Sequence, residues 1–210
     1  MDWPHWETQF AQFLIEQAHN DAAHDLHHIR RVVRSAKQFA ALEQANLVVV
    51  IPAAWLHDCV IVLKDSPLRS QASRMAAETA VAYLQSIHYP VQHLDAIAHA
   101  IAAHSFSAQI PPQTIEARVV QDADRIDALG AIGIARTFSV GGAMSRAIYH
   151  EPDPFCEQRP PEDRLASLDH FYTKLLTLAD TMQTAAGHQE AQRRTTFMQQ
   201  FLAQMANEIL

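Results

Sequence analysis

The chain has only two cysteines, Cys59 and Cys156. They lie far apart and form no CxxC pair, which excludes a disulfide-stapled scaffold and fits a reducing compartment. Five glycines in 210 residues leave little material for tight β-turns. Gly141-Gly142 has neither GxGxxG nor Walker spacing, so the usual nucleotide loops are excluded. Positive charge is also scarce. Sixteen basic residues against 23 acidic ones give a net charge of −7, which argues against an extended surface that tracks nucleic-acid phosphates. No long hydrophobic run is present. The most apolar stretch, from Leu47 to Leu56, contains Pro52 and stops at His57-Asp58, well short of the ~20 residues of a membrane span. Met1-Asp2-Trp3-Pro4-His5-Trp6-Glu7 lacks the basic and apolar regions of a secretory signal. The expectation is a cytoplasmic protein with no membrane partner.

What the chain does have is apolar mass and histidine. With 49% hydrophobic residues over 210 positions, it can bury roughly 70% of the surface its unfolded form exposes. It needs no structural metal to fold, so a metal site here would be functional. Thirteen histidines are a high count for this length.

Helical periodicity organises most of the chain. Trp6, Phe10, Phe13 and Leu14 recur at spacings of three and four and mark a helix from about His5 to His19. A second helix is expected from about Ala23 to Gln44, with Leu26, Ile29, Val32, Val33, Ala36, Phe39 and Ala40 on its apolar face. Leu47-Val48-Val49-Val50-Ile51 has the β-branching of a buried strand. No partner strand is evident, so Asn46 to Cys59 is read as helix perturbed near Pro52. Asp65-Ser66-Pro67 is a turn in an irregular stretch from Val60 to Ser70. Helices follow over about Gln71–Ile87 and Val91–Ala103, and a helical stretch begins near Gln113 or Thr114 and continues beyond Gly130. The stretch from Ser139 to Pro161 reads as a long loop. Two further helices, about Pro161–Asp180 and Ala185–Ile209, end the chain. The fold expected is all-α, a single domain of about eight helices.

Three places gather metal-ligating side chains. His24, His27 and His28 lie on one helix, His24 and His28 sharing a face at i and i+4. His57-Asp58 closes an apolar helix, where a carboxylate is costly unless paired or metal-bound. Gln121-Asp122-Ala123-Asp124-Arg125-Ile126-Asp127 carries three carboxylates between apolar runs. Each alone is ambiguous, because a His-Asp dipeptide also serves as a cap and three carboxylates also make a solvated face. Together they place His28, His57, Asp58 and an aspartate near 124 beside apolar helical runs, so all can face one bundle interior. Imidazole and carboxylate donors suit a borderline to hard divalent cation. The three tryptophans read as packing residues, and His5, His19, His88, His93, His150, His170 and His188 as exposed polar residues.

The ordered pattern H…HD…D resembles the HD-domain superfamily of metal-dependent phosphohydrolases. The likeness extends to His24-Asp25-Leu26-His27-His28-Ile29-Arg30-Arg31-Val32, Ala53-Ala54-Trp55-Leu56-His57-Asp58, Lys64-Asp65-Ser66-Pro67 and Asp122-Ala123-Asp124-Arg125-Ile126-Asp127-Ala128-Leu129-Gly130-Ala131, which look like the small bacterial branch typified by the YedJ-like proteins. The resemblance implies a single HD-domain helical bundle over residues 1–210. Its metal-binding core would span about 20–140, with C-terminal helices of about 161–209 packing on it. It implies His28, His57, Asp58 and Asp124 as ligands of a divalent ion such as Mn, Mg, Co, Ni, Fe or Zn. Asp122 is the rival carboxylate if that segment is irregular, and His24 and His27 are neighbours of the ligands or structural. The acidic residues that some HD enzymes carry three and four positions after the His-Asp pair are replaced by Ile61 and Val62, so no general base is supplied there.

His104, at a helix end before a loop, is the candidate to orient water or protonate a leaving group; a surface histidine stabilised by the helix dipole is the competing reading. Lys64 and Arg69, flanking the proline turn, are the catalytic-rim candidates for phosphate, with Arg31 and Arg125 behind them. The expected activity is hydrolysis of a phosphate ester or pyrophosphate of a small phosphorylated metabolite, a nucleotide being the favoured class. Two alternatives compete: an HD-type dinuclear (di-iron) oxygenase or phosphodiesterase drawing on His88, His93, His99 and His104, and a metal-binding regulatory module without turnover.

Overall fold

The apolar periodicities of the sequence become nine α-helices among the described residues, with no extended strand. The computed structural model describes residues 1–18, 26–60, 62 and 66–209; His24 and Lys64 lie outside them. Two compact units divide the chain, Met1–Asp124 and Arg125–Leu210.

The first unit holds α1 (Trp3–Ala18), α2 (Leu26–Glu43), α3 (Leu47–Leu56), α4 (Ala72–Ser86), α5 (Leu94–His104) and most of α6 (Ile115–Ile126). At its centre is α3, buried at every position from Val49 to Leu56 and packed against α1, α2, α4 and α5. A helix that is apolar all round has no solvent face to give away, which resolves the strand-like reading of Leu47–Ile51. Its start is set by Asn46, whose side chain accepts a hydrogen bond from Val48 N at 3.0 Å, an N-cap that satisfies one of the four orphan donors. Pro52 in the helix interior cannot donate to the Val48 carbonyl. The Tyr89 hydroxyl does so instead, at 2.7 Å. Trp55 Nε1 donates to Glu7 Oε2 at 3.1 Å while Lys37 Nζ donates to Glu7 Oε1 at 2.5 Å. One carboxylate thereby ties α1, α2 and α3 together.

The second unit holds α7 (Gly130–Ala143), α8 (Asp169–Thr173), a 3-10 turn at Leu175–Thr181 and α9 (Ala185–Ile209). Phe138, Phe171 and Phe201, from α7, α8 and α9, cluster with ring centroids 6.0 to 6.1 Å apart, Phe171 and Phe201 stacked and Phe138 tilted against both. Three boundaries depart from the sequence reading. The helix expected to run past Gly130 stops at Ile126 and restarts at Gly130, whose φ of +72° is open to glycine and costly for other residues. The long loop begins at Met144, because α7 continues through Gly141-Gly142 to Ala143; Gly141 lies against Ser167, where a Cβ would collide with the hydroxyl. The helix expected over Pro161–Asp180 does not form as one element. Asp169 is fully buried and accepts two bonds from Arg159, at 2.5 and 2.8 Å, and one from Glu162 N at 2.6 Å. Asp153 accepts the amides of Glu157, Gln158 and Arg159. These bonds hold the backbone in turns that compete with a helix. Of the histidines expected to be exposed, His5 and His88 are, His93, His150, His170 and His188 are half-buried, and His19 lies outside the described residues; His170 Nδ1 lies 2.9 Å from Asp163 Oδ2, and His150 Nδ1 is buried without a hydrogen-bond partner. Among the described residues, no helix is long and apolar enough to cross a membrane.

Candidate metal centre

The site is assembled from helix ends in the first unit. His28 is in the first turn of α2, His57 is the C-cap of α3 with Asp58 after it, His104 is the last residue of α5, and Asp124 is in the last turn of α6. Three of these are C-terminal ends, where unpaired carbonyls and the negative pole of the macrodipole favour positive charge.

His57 and His104 are oriented alike. His57 Nδ1 lies 2.9 Å from Ala54 O, and His104 Nδ1 lies 2.6 Å from Ile101 O. A carbonyl only accepts, so in each ring Nδ1 is the protonated nitrogen and Nε2 is presented to the site. Histidines that bind metals characteristically donate their second nitrogen in this way. His57 Nε2 is 3.6 Å from Asp58 Oδ2 and 3.7 Å from Asp124 Oδ1. His28 Nε2 is 4.0 Å from Asp58 Oδ2 and 3.4 Å from Asp124 Oδ1. His104 Nε2 is 3.5 Å from Asp58 Oδ1. Two ligands about 2.1 Å from a common ion lie at most about 4.2 Å apart, so these four separations between His28 or His57 and Asp58 or Asp124 fit inside a coordination sphere.

The chemistry of His57 calls for a cation. Its side chain is 0% exposed, and Nε2 is buried without a hydrogen-bond partner while facing two carboxylate oxygens. A buried lone pair opposed to two anions is costly; a cation between them removes the cost. Among the described residues, His28, His57 and Asp58 form a group whose ligand atoms all lie within 4.8 Å of one another and could hold a metal ion.

The electrostatics agree. Burial alone would raise the Asp58 pKa, but the neighbouring imidazoles of His57 and His104 outweigh it and hold the carboxyl well below the usual range. Burial likewise opposes ionisation of Asp124, and the hydrogen bond from His28 together with the neighbouring imidazoles of His57 and His104 reverses that, so it too stays anionic. For His104, burial lowers the pKa, and the Asp58 hydrogen bond and charge overcome it to raise it. Neighbouring Cys59 goes the other way. Its thiol, pushed up to about 12 by burial and the Asp58 charge, donates to Ala76 O at 3.3 Å and is no nucleophile.

Of the sequence candidates, His28, His57, Asp58, Asp124 and His104 come together; the surface reading of His104 is corrected, since it is only 6% exposed. The carboxylate of α6 that approaches His28 and His57 is Asp124. Asp122 is buried and partnered, but two residues turn a helix through about 200°, so the pair leave opposite sides. Arg69 begins a 3-10 turn, Arg69–Gln71, and its guanidinium donates to Val62 O at 2.8 Å. Arg125 donates to Thr181 O at 2.6 Å. His27 is exposed and Arg31 half-buried on α2. His99 Nε2 accepts from Gln113 N at 3.0 Å. Sequence reasoning overlooked Gln121, buried one turn before Asp124, whose Nε2 donates to Ala103 O at 2.7 Å beside His104. Its i−3 relation to Asp124 was the available signal.

Known proteins share this fold. The chain is 36% identical to a HD-superfamily hydrolase from Bacillus thuringiensis whose crystal structure superposes with a TM-score of 0.78, covering 99% of this chain and 98% of that one. It is 34% identical over 194 residues to the uncharacterized protein YpgQ of Bacillus subtilis, covering 90% of this chain and 85% of YpgQ. The crystal structure of YpgQ in complex with ADP superposes with a TM-score of 0.71 at 31% identity, covering 96% of this chain and 95% of that one. Residues 25–129, which run from the His28 end of the site to just past Asp124, match the HD domain, and the chain belongs to that family of helical hydrolases.

Proposed function

We propose that this protein is a metal-dependent phosphohydrolase that cleaves a phosphate ester or pyrophosphate bond of a small phosphorylated metabolite, a nucleotide. His28, His57, Asp58 and Asp124 would hold the divalent ion. The observation that carries this reading is the fully buried His57 Nε2, without a hydrogen-bond partner and opposed to two anionic carboxylates. The crystallised ADP complex of YpgQ supports a nucleotide as the substrate class. When bound, a divalent ion polarises a phosphoryl oxygen and lowers the pKa of water. The rest of the work falls to the protein. Asp58 and Asp124 remain ionised and keep the pocket cation-selective. His104 holds its Nδ1 proton on Ile101 O and presents Nε2 to orient water or to pass a proton to the departing oxygen as the P–O bond breaks. Arg69 and Lys64, which flank Pro67 in the sequence, would admit phosphate to a protein of net charge −7. The free cysteines Cys59 and Cys156 fit a reducing cytoplasm.

One observation favours a second reading, a dinuclear site: His104 brings a third imidazole to the cluster. Metal analysis of the purified protein, paired with a nucleotide panel scored for phosphate against pyrophosphate release, separates the readings. One metal per chain with release of either product is expected. Two irons per chain would overturn the mononuclear mechanism, and bound metal without turnover would make the protein a regulatory module.

A further inference from the structure

Phe106 has the highest exposure among the described large apolar side chains, at 80%, and it stands two residues from His104. Two residues span at most about 7 Å between Cα atoms, so the backbone of Phe106 lies beside the His104 end of the candidate metal centre. Its exposure is built into the backbone. Ser105 is extended, Phe106–Ala108 form a single 3-10 turn, and Gln109 closes it in the left-handed region at φ +52°. The turn packs against Arg69–Gln71, α4 and α5, and Ser73 Oγ of α4 donates to Ala102 O at 2.9 Å, fastening the end of α5 beneath it. A phenyl ring held in water on a braced turn contributes nothing to the core.

We propose that Phe106 is the base-stacking residue of this site, its face receiving the planar ring of a nucleotide whose phosphates lie at the His28, His57, Asp58 and Asp124 cluster. The chemistry that selects this ligand is the combination of a cation-binding pocket for phosphate, Arg69 on the 3-10 turn packed against Phe106–Ala108, and an exposed aromatic residue on the turn that follows His104. A nucleobase carries a π-face and a sugar phosphate does not, so the ring would distinguish nucleotides from other phosphorylated metabolites. The proposal rests on the phosphohydrolase reading only for where the phosphates sit.

The test is calorimetric binding of ADP and of inorganic pyrophosphate to the Mn²⁺-loaded protein, with Phe106→Ala, Phe106→Leu and Phe106→Trp. Phe106→Ala is expected to weaken ADP about ten-fold, the ordinary worth of one aromatic–base stack, and to leave pyrophosphate unchanged. Phe106→Leu, which keeps apolar bulk without a π-face, should behave like Phe106→Ala, and Phe106→Trp should restore ADP binding. Equal weakening of both ligands, unchanged ADP affinity in Phe106→Ala, or no ADP binding to the wild type would overturn the proposal. Turnover is scored separately. A protein that binds ADP through Phe106 but hydrolyses nothing sinks the phosphohydrolase reading and keeps this one.

Discussion

Asp122 and Asp124 are both acidic, both on α6 and separated by one alanine, yet they should fail in opposite ways. Asp124 Oδ1 lies 3.4 Å from His28 Nε2 and 3.7 Å from His57 Nε2, and its negative charge raises the pKa of Asp58. Without metal, Asp124→Ala relieves that repulsion but also loses the His28 hydrogen bond that keeps Asp124 ionised, so the apoprotein should unfold close to the wild-type temperature. With metal, the variant loses a ligand. A ligand present at 100 times its Kd stabilises the fold by about 2.7 kcal/mol, and about 2–4 °C per kcal/mol is usual for a chain of this size. The metal-induced rise of about 5–11 °C expected for the wild type should therefore vanish in Asp124→Ala. Asp122 is fully buried and partnered. Asp122→Ala leaves its partners unsatisfied at a cost of about 1–3 kcal/mol, lowering the apo transition by roughly 2–12 °C while most of the metal-induced rise survives. Differential scanning calorimetry with Mn²⁺ and with a chelator, together with metal content by mass spectrometry, reads both quantities. If Asp122→Ala abolished the metal-induced rise and Asp124→Ala kept it, the ligand assignment on α6 would be refuted.

Other expectations concern single interactions. Tyr89→Phe removes the donor to the carbonyl that Pro52 leaves open and should cost about 1–3 kcal/mol in urea denaturation; in a Pro52→Ala background, where residue 52 can donate to Val48 O, the cost should shrink, and a strictly additive double-mutant cycle would contradict the account. Arg159→Ala leaves a fully buried Asp169 carboxylate without its bidentate partner and should cost about 3–5 kcal/mol. Burial opposes ionisation of Asp169, but Arg159 and the Glu162 amide reverse this and lower its pKa. Its folded pKa thus lies below the unfolded value, so its stabilisation is complete above about pH 4 and lost as pH falls through the folded pKa. Asp169→Asn should flatten the dependence of the second unit's unfolding on pH below about 4; an unchanged acid limb would argue against Asp169 as its source. Gly130→Ala places a Cβ at φ +72° and should destabilise by about 1–2 kcal/mol, measurable by thermal denaturation and absent if the backbone relaxes.

The helices α1, α2, α4 and α5 were legible because each carries its burial pattern in its own sequence, whereas α3, apolar all round, was read as helix only for want of a partner strand. The second unit was less so. Gly141-Gly142 looks like loop, and only contact with Ser167 makes glycine the residue that lets α7 continue. The stretch from Pro161 to Asp180 has helical periodicity, but the buried Asp169–Arg159 bonds override local propensity.

By itself the sequence determined an all-helical chain without disulfide, nucleotide loop or basic surface, and an ordered His, His-Asp and Asp pattern that names its candidates. Those follow from composition and local spacing, which act within a few residues. Only the tertiary structure decided that His104 belongs beside Asp58, that Asp124 rather than Asp122 faces His28 and His57, and that His57 Nε2 is shut away from water. Such facts depend on how helix ends remote in sequence converge, and burial and side-chain direction exist only once they have.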